Sequence, residues 1–289
     1  MDRMDAVETE GPAIPSEHVA AQAEIDLVMP AEYVAHRDGP GDASAGGLPA
    51  ALARYDAAFA RVAREAENTD VADRPAVWHV YNMGLVVKTP KTLFSVDLCH
   101  RDAQKLAPRL DFALITHNHD DHYTMPFLAC MNGAGKTVVS NFDANGGALR
   151  SGKGFGGGYT RAEKTFSFAD VSVKTSLSDH NGYLVDFTTA FEIEVNGFRV
   201  YHTGDSGNVA KLNPAHAPDL WIVHPYCGLA VADGVRKFRP KKTVLAHLNE
   251  LGHARGRWRW TYADGFRVAE QVRAAGGDAV VPLWGERLV

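Results

Sequence analysis

A buried-type strand runs directly into a cluster of metal-binding side chains in the first half of the chain. The apolar segment 111–116 stops where His117 begins, and the next five residues add His119, Asp121 and His122. Imidazole nitrogens and carboxylate oxygens are ligands that Zn²⁺, Mn²⁺ and iron all accept, and no thiolate is needed. The fold must therefore bring the carboxyl end of a strand to a metal site, which is where α/β proteins place their functional groups.

The spacing within this run indicates two metal ions. Alternate residues of an extended segment point the same way, so His117 and His119 can share one ion. The chain must then turn for Asp121 and His122 to reach a second ion. A solvated, His-rich loop is the alternative interpretation, but four ligand-type residues in this order after a buried strand argue against it. Asp120 is interpreted as a surface or supporting acid because its position separates it from the ligands.

Short β-branched or aromatic runs alternate with segments of helical periodicity, which predicts an α/β fold in which strands dominate. Strands are predicted at 77–81, 84–88, 92–96, 111–116, 137–140, 171–176, 182–188, 190–195, 198–203, 220–223, 243–246 and 279–282. Helices are predicted at 17–28, 48–67, 103–107, 125–131, 208–212 and 262–275.

The composition changes along the first quarter of the chain. Residues 1–46 are rich in Ala, Glu, Asp, Gly and Pro, and the glycine-rich segment 39–47 is typical of a loop. We therefore predict that residues 1–75 form an N-terminal extension, partly helical, and that residues 76–289 form the catalytic domain. The extension is a candidate element for homo-oligomer formation.

Charge and cysteine content narrow the class of protein. A net charge of −5 gives no global attraction to nucleic acid, so a small-molecule substrate is expected instead. The three cysteines have no CxxC spacing, which favours buried free thiols over a disulfide framework or a cysteine-only zinc site. No segment approaches the roughly 18 apolar residues of a membrane span, and the N-terminus lacks the apolar core of a signal peptide. A cytoplasmic location is expected.

The segment LITHNHDDH, with its HxHxDH run, resembles the metallo-β-lactamase superfamily, and the resemblance extends from about Trp78 to about Trp284. It implies a four-layer αββα sandwich with a binuclear metal site. Three later ligands of the family find candidates here. His180 fits the isolated histidine of the first metal, Asp205 in a Thr-Gly-Asp turn fits the bridging aspartate, and His247 fits the last ligand of the second metal.

The ligand set implied by this resemblance is complete. His117, His119 and His180 would hold the first metal and Asp121, His122 and His247 the second, with Asp205 between them. Zinc is the expected ion, with manganese or iron as alternatives. The branch that contains L-ascorbate-6-phosphate lactonase and N-acyl phosphatidylethanolamine phospholipase D is the most similar. The chain departs from that branch after His122, where Tyr123 and Thr124 replace the frequent Leu-Asp pair.

Several other polar residues lie close to predicted strand ends. Asp97 ends a predicted strand, where the family commonly keeps an acid, and the resemblance implies that it supports the histidine run. His224 follows a strand and is predicted to line the substrate pocket, whereas His202 is interpreted as packed or supporting. His253 is an alternative to His247 as a ligand. His79 and His100 could face the site, but neither fits a ligand position.

The implied mechanism is hydrolysis by a metal-bridging hydroxide, with Asp121 and Asp205 as the catalytic carboxylates. The bond would be a phosphodiester, a lactone or a related ester or amide. Arg257 and Arg259 follow the last ligand in a cationic, aromatic segment and are predicted to bind an anionic substrate. A solvated basic surface is the plainer interpretation of that segment. An iron-dependent oxidoreductase on the same fold is the alternative function, and a non-catalytic scaffold is disfavoured by the full ligand set.

Overall fold

Two β-sheets packed face to face form the centre of the fold. The computed structural model describes residues 13–26, 50–142, 163–181, 184–253 and 258–289. Within these residues the first sheet has five strands in the order β1 (Ala76–His79), β2 (Leu85–Lys88), β3 (Leu93–Val96), β4 (Phe112–Leu114) and β5 (Thr137–Val139). The second sheet has seven, in the order β12 (Ala279–Val280), β11 (Lys242–Leu245), β10 (Leu220–Val223), β9 (Phe198–His202), β8 (Leu184–Val195), β7 (Val171–His180) and β6 (Thr165–Phe168).

The space between the sheets is an apolar core to which both contribute. Phe94 and Phe112 of the first sheet stack with ring centroids 4.6 Å apart, and Phe191 and Ile222 come from the second sheet. Strands covered on both faces need apolar side chains on both, which is why β1 and β4 read as nearly continuous apolar runs.

Helices cover the outer faces of both sheets. On the first sheet lie α2 (Ala50–Asn68), α3 (Ala103–Leu106) and α4 (Met125–Gly133), and on the second lie α5 (Val231–Phe238) and α6 (Tyr262–Ala274). Apolar residues of α2 recur at three- and four-residue steps and are buried: Leu52, Tyr55, Phe59 and Val62. The order helix, sheet, sheet, helix confirms the predicted four-layer αββα sandwich.

The described part of the predicted N-terminal extension is helical. Helix α1 (Ser16–Ile25) packs on both α2 and α6, and the Nε2 atom of its His18 lies 2.8 Å from the carbonyl oxygen of Val281. Residues 1–12 and 27–49 lie outside the described residues. Along the described parts of the chain, no helix combines the length and apolar character that a membrane crossing needs.

Three predicted elements differ from the structure. The two strands predicted at 182–188 and 190–195 are one strand, β8, because no turn-forming residue interrupts Thr188, Thr189 and Ala190 (residues 182–183 lie outside the described part). The helix predicted at 208–212 is a single 3₁₀ turn, Val209–Lys211. Strand β6 and helix α5 were not predicted. Helix α5 contains Gly234, which interrupts its helical pattern in the sequence. A larger residue would not fit at this position, because a Cβ there would lie 2.2 Å from the Trp221 ring.

Candidate metal centre

The strand directions determine where the candidate ligands meet. Strands β3 and β4 run parallel in the first sheet, and β9, β10 and β11 run parallel in the second. Strand β7 shares the direction of β9 because each is antiparallel to β8. The carboxyl ends of parallel strands lie at one edge of a sheet. The segments that follow these strands carry the candidate residues: Asp97 after β3, the run 117–122 after β4, His180 at the end of β7, Asp205 after β9, His224 after β10 and His247 after β11.

One group of ligand atoms belongs to His117, His119 and His180, which could hold a metal ion because these atoms lie within 4.8 Å of one another. The Nε2 atom of His117 is 3.0 Å from Nδ1 of His119. The pairing of β7 with β8 shifts register between Ser178 and His180. Such a bulge changes the direction of a side chain, and it lies where β7 reaches the site.

A second group consists of Asp121, His122 and His247. Its ligand atoms also lie within 4.8 Å of one another. Nε2 of His247 is 3.0 Å from Oδ2 of Asp121, and Nε2 of His122 is 3.7 Å from Oδ1 of the same carboxylate. Asn82 fixes Asp121 from the side, since its amide donates to the Asp121 backbone carbonyl at 2.9 Å and to Oδ2 at 3.2 Å.

Asp205 lies between the two groups. Its Oδ1 is 3.5 Å from Nε2 of His122, and its Oδ2 is 3.6 Å from Nε2 of His180 and 3.5 Å from Nε2 of His247. The preceding Gly204 has φ +50°, and a Cβ at this position would lie 2.7 Å from the Thr116 side chain. Only glycine allows the turn after β9 to come this close to the strand that carries the histidine run.

Unpartnered buried atoms test whether these residues fit metal ions. Nε2 of His122, Nε2 of His180 and Oδ1 of Asp205 are buried and have no hydrogen-bond partner among the described residues. Buried polar atoms are nearly always hydrogen-bonded, so several without partners at one place indicate a missing ligand. The donors are imidazole and carboxylate, which suit Zn²⁺, Mn²⁺ or iron. The donor set therefore fits two cations.

Charge is concentrated in this centre. Burial alone would lower the pKa of His122, but the carboxylates of Asp121, Asp97 and Asp205 outweigh it and raise that pKa well above its usual value. Burial alone would raise the pKa of Asp205, but His247 and His122 lead the groups that bring it well below its usual range. In the metal-free protein, paired protonated imidazoles and carboxylates thus share a space that cations can take.

Asp97 lies next to the histidine run and binds two of its neighbours, Thr116 and His122. Its carboxylate accepts from the Thr116 backbone N–H at 2.8 Å, from the Thr116 hydroxyl at 2.7 Å and from Nδ1 of His122 at 2.9 Å. The last contact fixes which nitrogen of His122 faces the centre, because Nδ1 is occupied and Nε2 remains.

A cavity of about 310 Å³ opens beside the candidate ligands. Its described lining includes His119, Asp120, Asp121, His180, Asn181, Asp205, His224, Tyr226, Cys227, His247, His253, Trp258 and Trp260. His224, which the sequence analysis assigned to the substrate pocket, is among these residues, and its ring stacks on His247 with centroids 3.9 Å apart.

Arg259 lies elsewhere than the sequence suggested. It is buried and absent from the described lining, and its guanidinium donates to the backbone carbonyls of Glu250 and Leu251 at 2.9 and 2.8 Å. Arg257, the second cation predicted to bind substrate, lies outside the described residues.

Of the other histidines named in the sequence analysis, three pack within the fold and one lines the cavity. His202 donates to the Met83 carbonyl, His79 contacts the carbonyls of Asn82 and Leu283, and His100 stacks between Tyr55 and Phe59. His253 lines the cavity, but its Nδ1 lies 2.9 Å from Glu250 Oε2.

Sequence reasoning missed Asn82, Glu250 and the aromatic lining of the cavity. Asn82 sits in a tight turn with φ +53°, and the Asn-Met-Gly sequence was the one available signal for it. Buried Glu250 accepts from the Tyr81 hydroxyl at 2.8 Å, a contact between residues 169 positions apart that no local pattern could show.

Comparison with known proteins agrees with the fold. No protein-family model matches the chain. A protein of Rubrobacter xylanophilus named a metal-dependent hydrolase is 28% identical over 133 residues, which cover 39% of this chain and 52% of that protein. The matched region therefore spans about half the length of that relative.

Two solved structures have similar folds. A metallo hydrolase from Ignicoccus hospitalis has a TM-score of 0.57 at 18% identity, covering 74% of this chain and 97% of that one. A diiron β-hydroxylase from Streptomyces venezuelae has a TM-score of 0.56 at 17% identity, covering 76% of this chain and 55% of that one. These structures share the αββα sandwich of this chain, and the chain is similar to proteins named metal-dependent hydrolases.

Proposed function

We propose that this chain is a hydrolase that uses two divalent metal ions held by His117, His119, Asp121, His122, His180, Asp205 and His247. The observation that carries the proposal is the position of Asp205 between the two groups: its Oδ1 lies 3.5 Å from His122, and its Oδ2 lies 3.6 Å from His180 and 3.5 Å from His247. When bound, two divalent cations would lower the pKa of a water that they hold toward neutrality and would polarise the attacked carbonyl or phosphoryl oxygen. Zinc is the ion we favour, with manganese and iron as alternatives.

The carboxylates of the centre provide acceptors for the nucleophile. Both Asp121 and Asp205 have pKa values well below their usual range, because the neighbouring histidines outweigh the effect of burial. They therefore stay ionised and can accept hydrogen bonds from a water held beside them. This is the orienting role that we assign to them in the hydrolytic step.

His224 provides a donor beside the candidate ligands, since its ring stacks on His247 with centroids 3.9 Å apart. Burial, with His247 as the next cause, brings its pKa well below the usual value, so the ring is neutral. Its Nδ1 accepts from the Tyr226 backbone N–H at 3.2 Å, and a neutral imidazole that accepts at Nδ1 carries its proton on Nε2. We propose that this Nε2–H group binds a substrate oxygen.

The proposed substrate is a small phosphodiester, lactone or related ester or amide. A cavity of about 310 Å³ lies at the lower end of the range for small-molecule sites. The similarity to the lactonase and phospholipase branch remains a prediction, as does the cytoplasmic location. Because Arg259 is buried and its guanidinium donates to two backbone carbonyls, we assign the anion binding to Arg257.

Metal content and hydrolysis test the proposal together. The purified protein should contain close to two metal ions per chain and should hydrolyse bis(p-nitrophenyl) phosphate or a simple lactone after loading with Zn²⁺, Mn²⁺ or Fe²⁺. Asp205→Asn should reduce kcat/KM by more than the ~100-fold that marks the upper end for outer ligand partners. Asp170→Asn serves as the control, because Asp170 precedes β7 and the candidate ligand His180 lies at the other end of that strand. Full metal content without hydrolysis of any ester, lactone or phosphodiester would overturn the proposal.

An iron-dependent oxidoreductase is the second candidate. The specific observation in its favour is the shared fold of the Streptomyces venezuelae diiron β-hydroxylase. The same seven donors accept iron, so the ligand set does not separate the two functions. Isolation with redox-active iron, together with oxygen consumption in the presence of a reductant and no hydrolysis, would select this alternative.

A further inference from the structure

Beyond its metal-binding side, the cavity has an aromatic wall made of Tyr226, Trp258 and Trp260. The rings of Tyr226 and Trp260 are stacked, with centroids 4.1 Å apart and planes inclined by 17°. Trp258 is 70% exposed, although large apolar side chains are normally covered. Such rings beside a polar centre provide flat apolar surface for a ligand.

The wall is fixed by hydrogen bonds to the surrounding frame. The Tyr226 hydroxyl donates to the Asp264 carbonyl at 2.8 Å, close to the start of α6. The Trp260 carbonyl accepts from the Asn249 backbone N–H at 2.6 Å. Between the two tryptophans, Arg259 binds the carbonyls of Glu250 and Leu251. The Tyr226 side chain and the backbone of Trp260 are therefore held in place before a substrate arrives, which reduces the entropy lost on binding.

The rest of the described lining is polar but offers no permanently charged cation for an anionic group. It consists of the candidate ligands with Asp120, Asn181, His224, Cys227 and His253, and none of these described residues is a lysine or arginine. Cys227 is a buried thiol that donates to the Asp205 carbonyl at 2.9 Å. A planar ring is the chemical group that this lining favours on the side away from the metal centre.

We infer that the substrate of the proposed hydrolase carries a small aromatic or planar unsaturated ring, which packs against the aromatic wall while its ester, lactone or phosphodiester group faces the metal centre. The inference rests on the proposed function for the identity of the reacting group. The ring binding stands on Tyr226, Trp258 and Trp260 alone. The size of the cavity limits the substrate to about one ring with its reacting group.

Binding of two alcohols of similar shape tests the inference without any turnover. Benzyl alcohol and cyclohexylmethanol differ in the aromaticity of the ring, and calorimetry with the metal-loaded protein gives a dissociation constant for each. We expect benzyl alcohol to bind about three- to tenfold more tightly, which is the contribution of one stacked aromatic pair. Equal dissociation constants would overturn the inference.

Variants of the wall locate the binding. Trp260→Leu should remove most of the preference for benzyl alcohol, whereas Trp260→Phe should keep it. Trp258→Leu provides a second test with little risk to folding, because that side chain is largely exposed. The control is Phe166→Leu on the edge strand β6, outside the lining of the cavity, which should bind both alcohols as the unmodified protein does. An unchanged preference in both tryptophan-to-leucine variants would contradict the inference.

Kinetics separate this inference from the proposed function. If aryl and cyclohexyl esters are both hydrolysed, Trp260→Leu should raise KM for the aryl ester and leave kcat within about twofold, since the wall contributes binding that is equal in the ground and transition states. A protein that binds benzyl alcohol preferentially but hydrolyses nothing would refute the hydrolase and leave the ring site in place. Hydrolysis without any aromatic preference would do the reverse.

Discussion

Replacing Asp97 by asparagine isolates the contribution of the residue behind the metal centre. Asp97 is fully buried, and its two oxygens accept three hydrogen bonds, two from Thr116 and one from His122. Asparagine has the same shape, but one oxygen becomes an NH₂ donor. In one orientation this donor meets the Thr116 backbone N–H, and in the other it meets the Thr116 hydroxyl and Nδ1 of His122. Either way, a buried donor loses its acceptor.

The size of the effect follows from these contacts. A hydrogen bond to a charged group contributes about 1.5–3 kcal/mol. Loss of the one that orients His122, or its replacement by a weaker bond to a neutral amide oxygen, should therefore weaken metal binding by about 10- to 100-fold, in agreement with the range for outer partners of metal-bound histidines. The effect should be larger for the ion proposed to bind His122 than for the ion proposed to bind His117 and His119.

Competition against a chromophoric chelator measures both dissociation constants. Asp170→Asn is the matched control, because the Asp170 carboxylate also accepts from two threonine hydroxyls, those of Thr89 and Thr92. It precedes β7, whereas His180 ends that strand, so metal binding should be unaffected. Metal affinity within twofold of the unmodified protein in Asp97→Asn would refute the argument. Equal losses in the two variants would refute it as well, since they would indicate a general loss of stability.

Three further outcomes follow from the described residues. Metal binding should release protons, and metal affinity should fall as the pH is lowered. The reason is that nearby carboxylates outweigh burial and raise the pKa of His122. Calorimetry in buffers of different ionisation enthalpy measures the number of protons released. Gly204→Ala should lower the free energy of unfolding by about 2–4 kcal/mol in urea denaturation through overlap with Thr116, whereas Gly133→Ala, with open space around it, should not lower it. In the folded protein a thiol reagent should label exposed Cys130 but not Cys227, whose buried thiol has a raised pKa.

The ligand run could be predicted from the sequence because its information is local. The end of a buried strand, the two-residue step from His117 to His119 and the turn before Asp121 all lie within a few positions. His180, Asp205 and His247 were reached through the order of ligands in a known superfamily, since each alone is an ordinary histidine or aspartate. The structure brings their ligand atoms to within 4.8 Å of neighbouring members of the set.

The pocket could not be predicted in the same way, because its wall depends on backbone direction. The sequence Arg-Trp-Arg-Trp at 257–260 does not show which of the four side chains face the pocket. Trp258 adopts φ +67°, and the guanidinium of Arg259 turns to two carbonyls while Trp260 packs on Tyr226. A positive φ at a tryptophan is set by surrounding contacts and not by local preference, so no periodicity indicates it.

Three residues around the candidate metal centre have a strained backbone conformation. Asn82, Asp97 and His247 all have positive φ, at 53°, 44° and 59°, where non-glycine residues cost on the order of 1 kcal/mol each. Glycine would relieve that strain at each position. It would also remove the amide that holds Asp121, the carboxylate that holds His122 and a candidate ligand. Asp97→Gly should therefore lose metal affinity even where the backbone gains stability, and a glycine variant that kept full affinity would show that the side chain is dispensable.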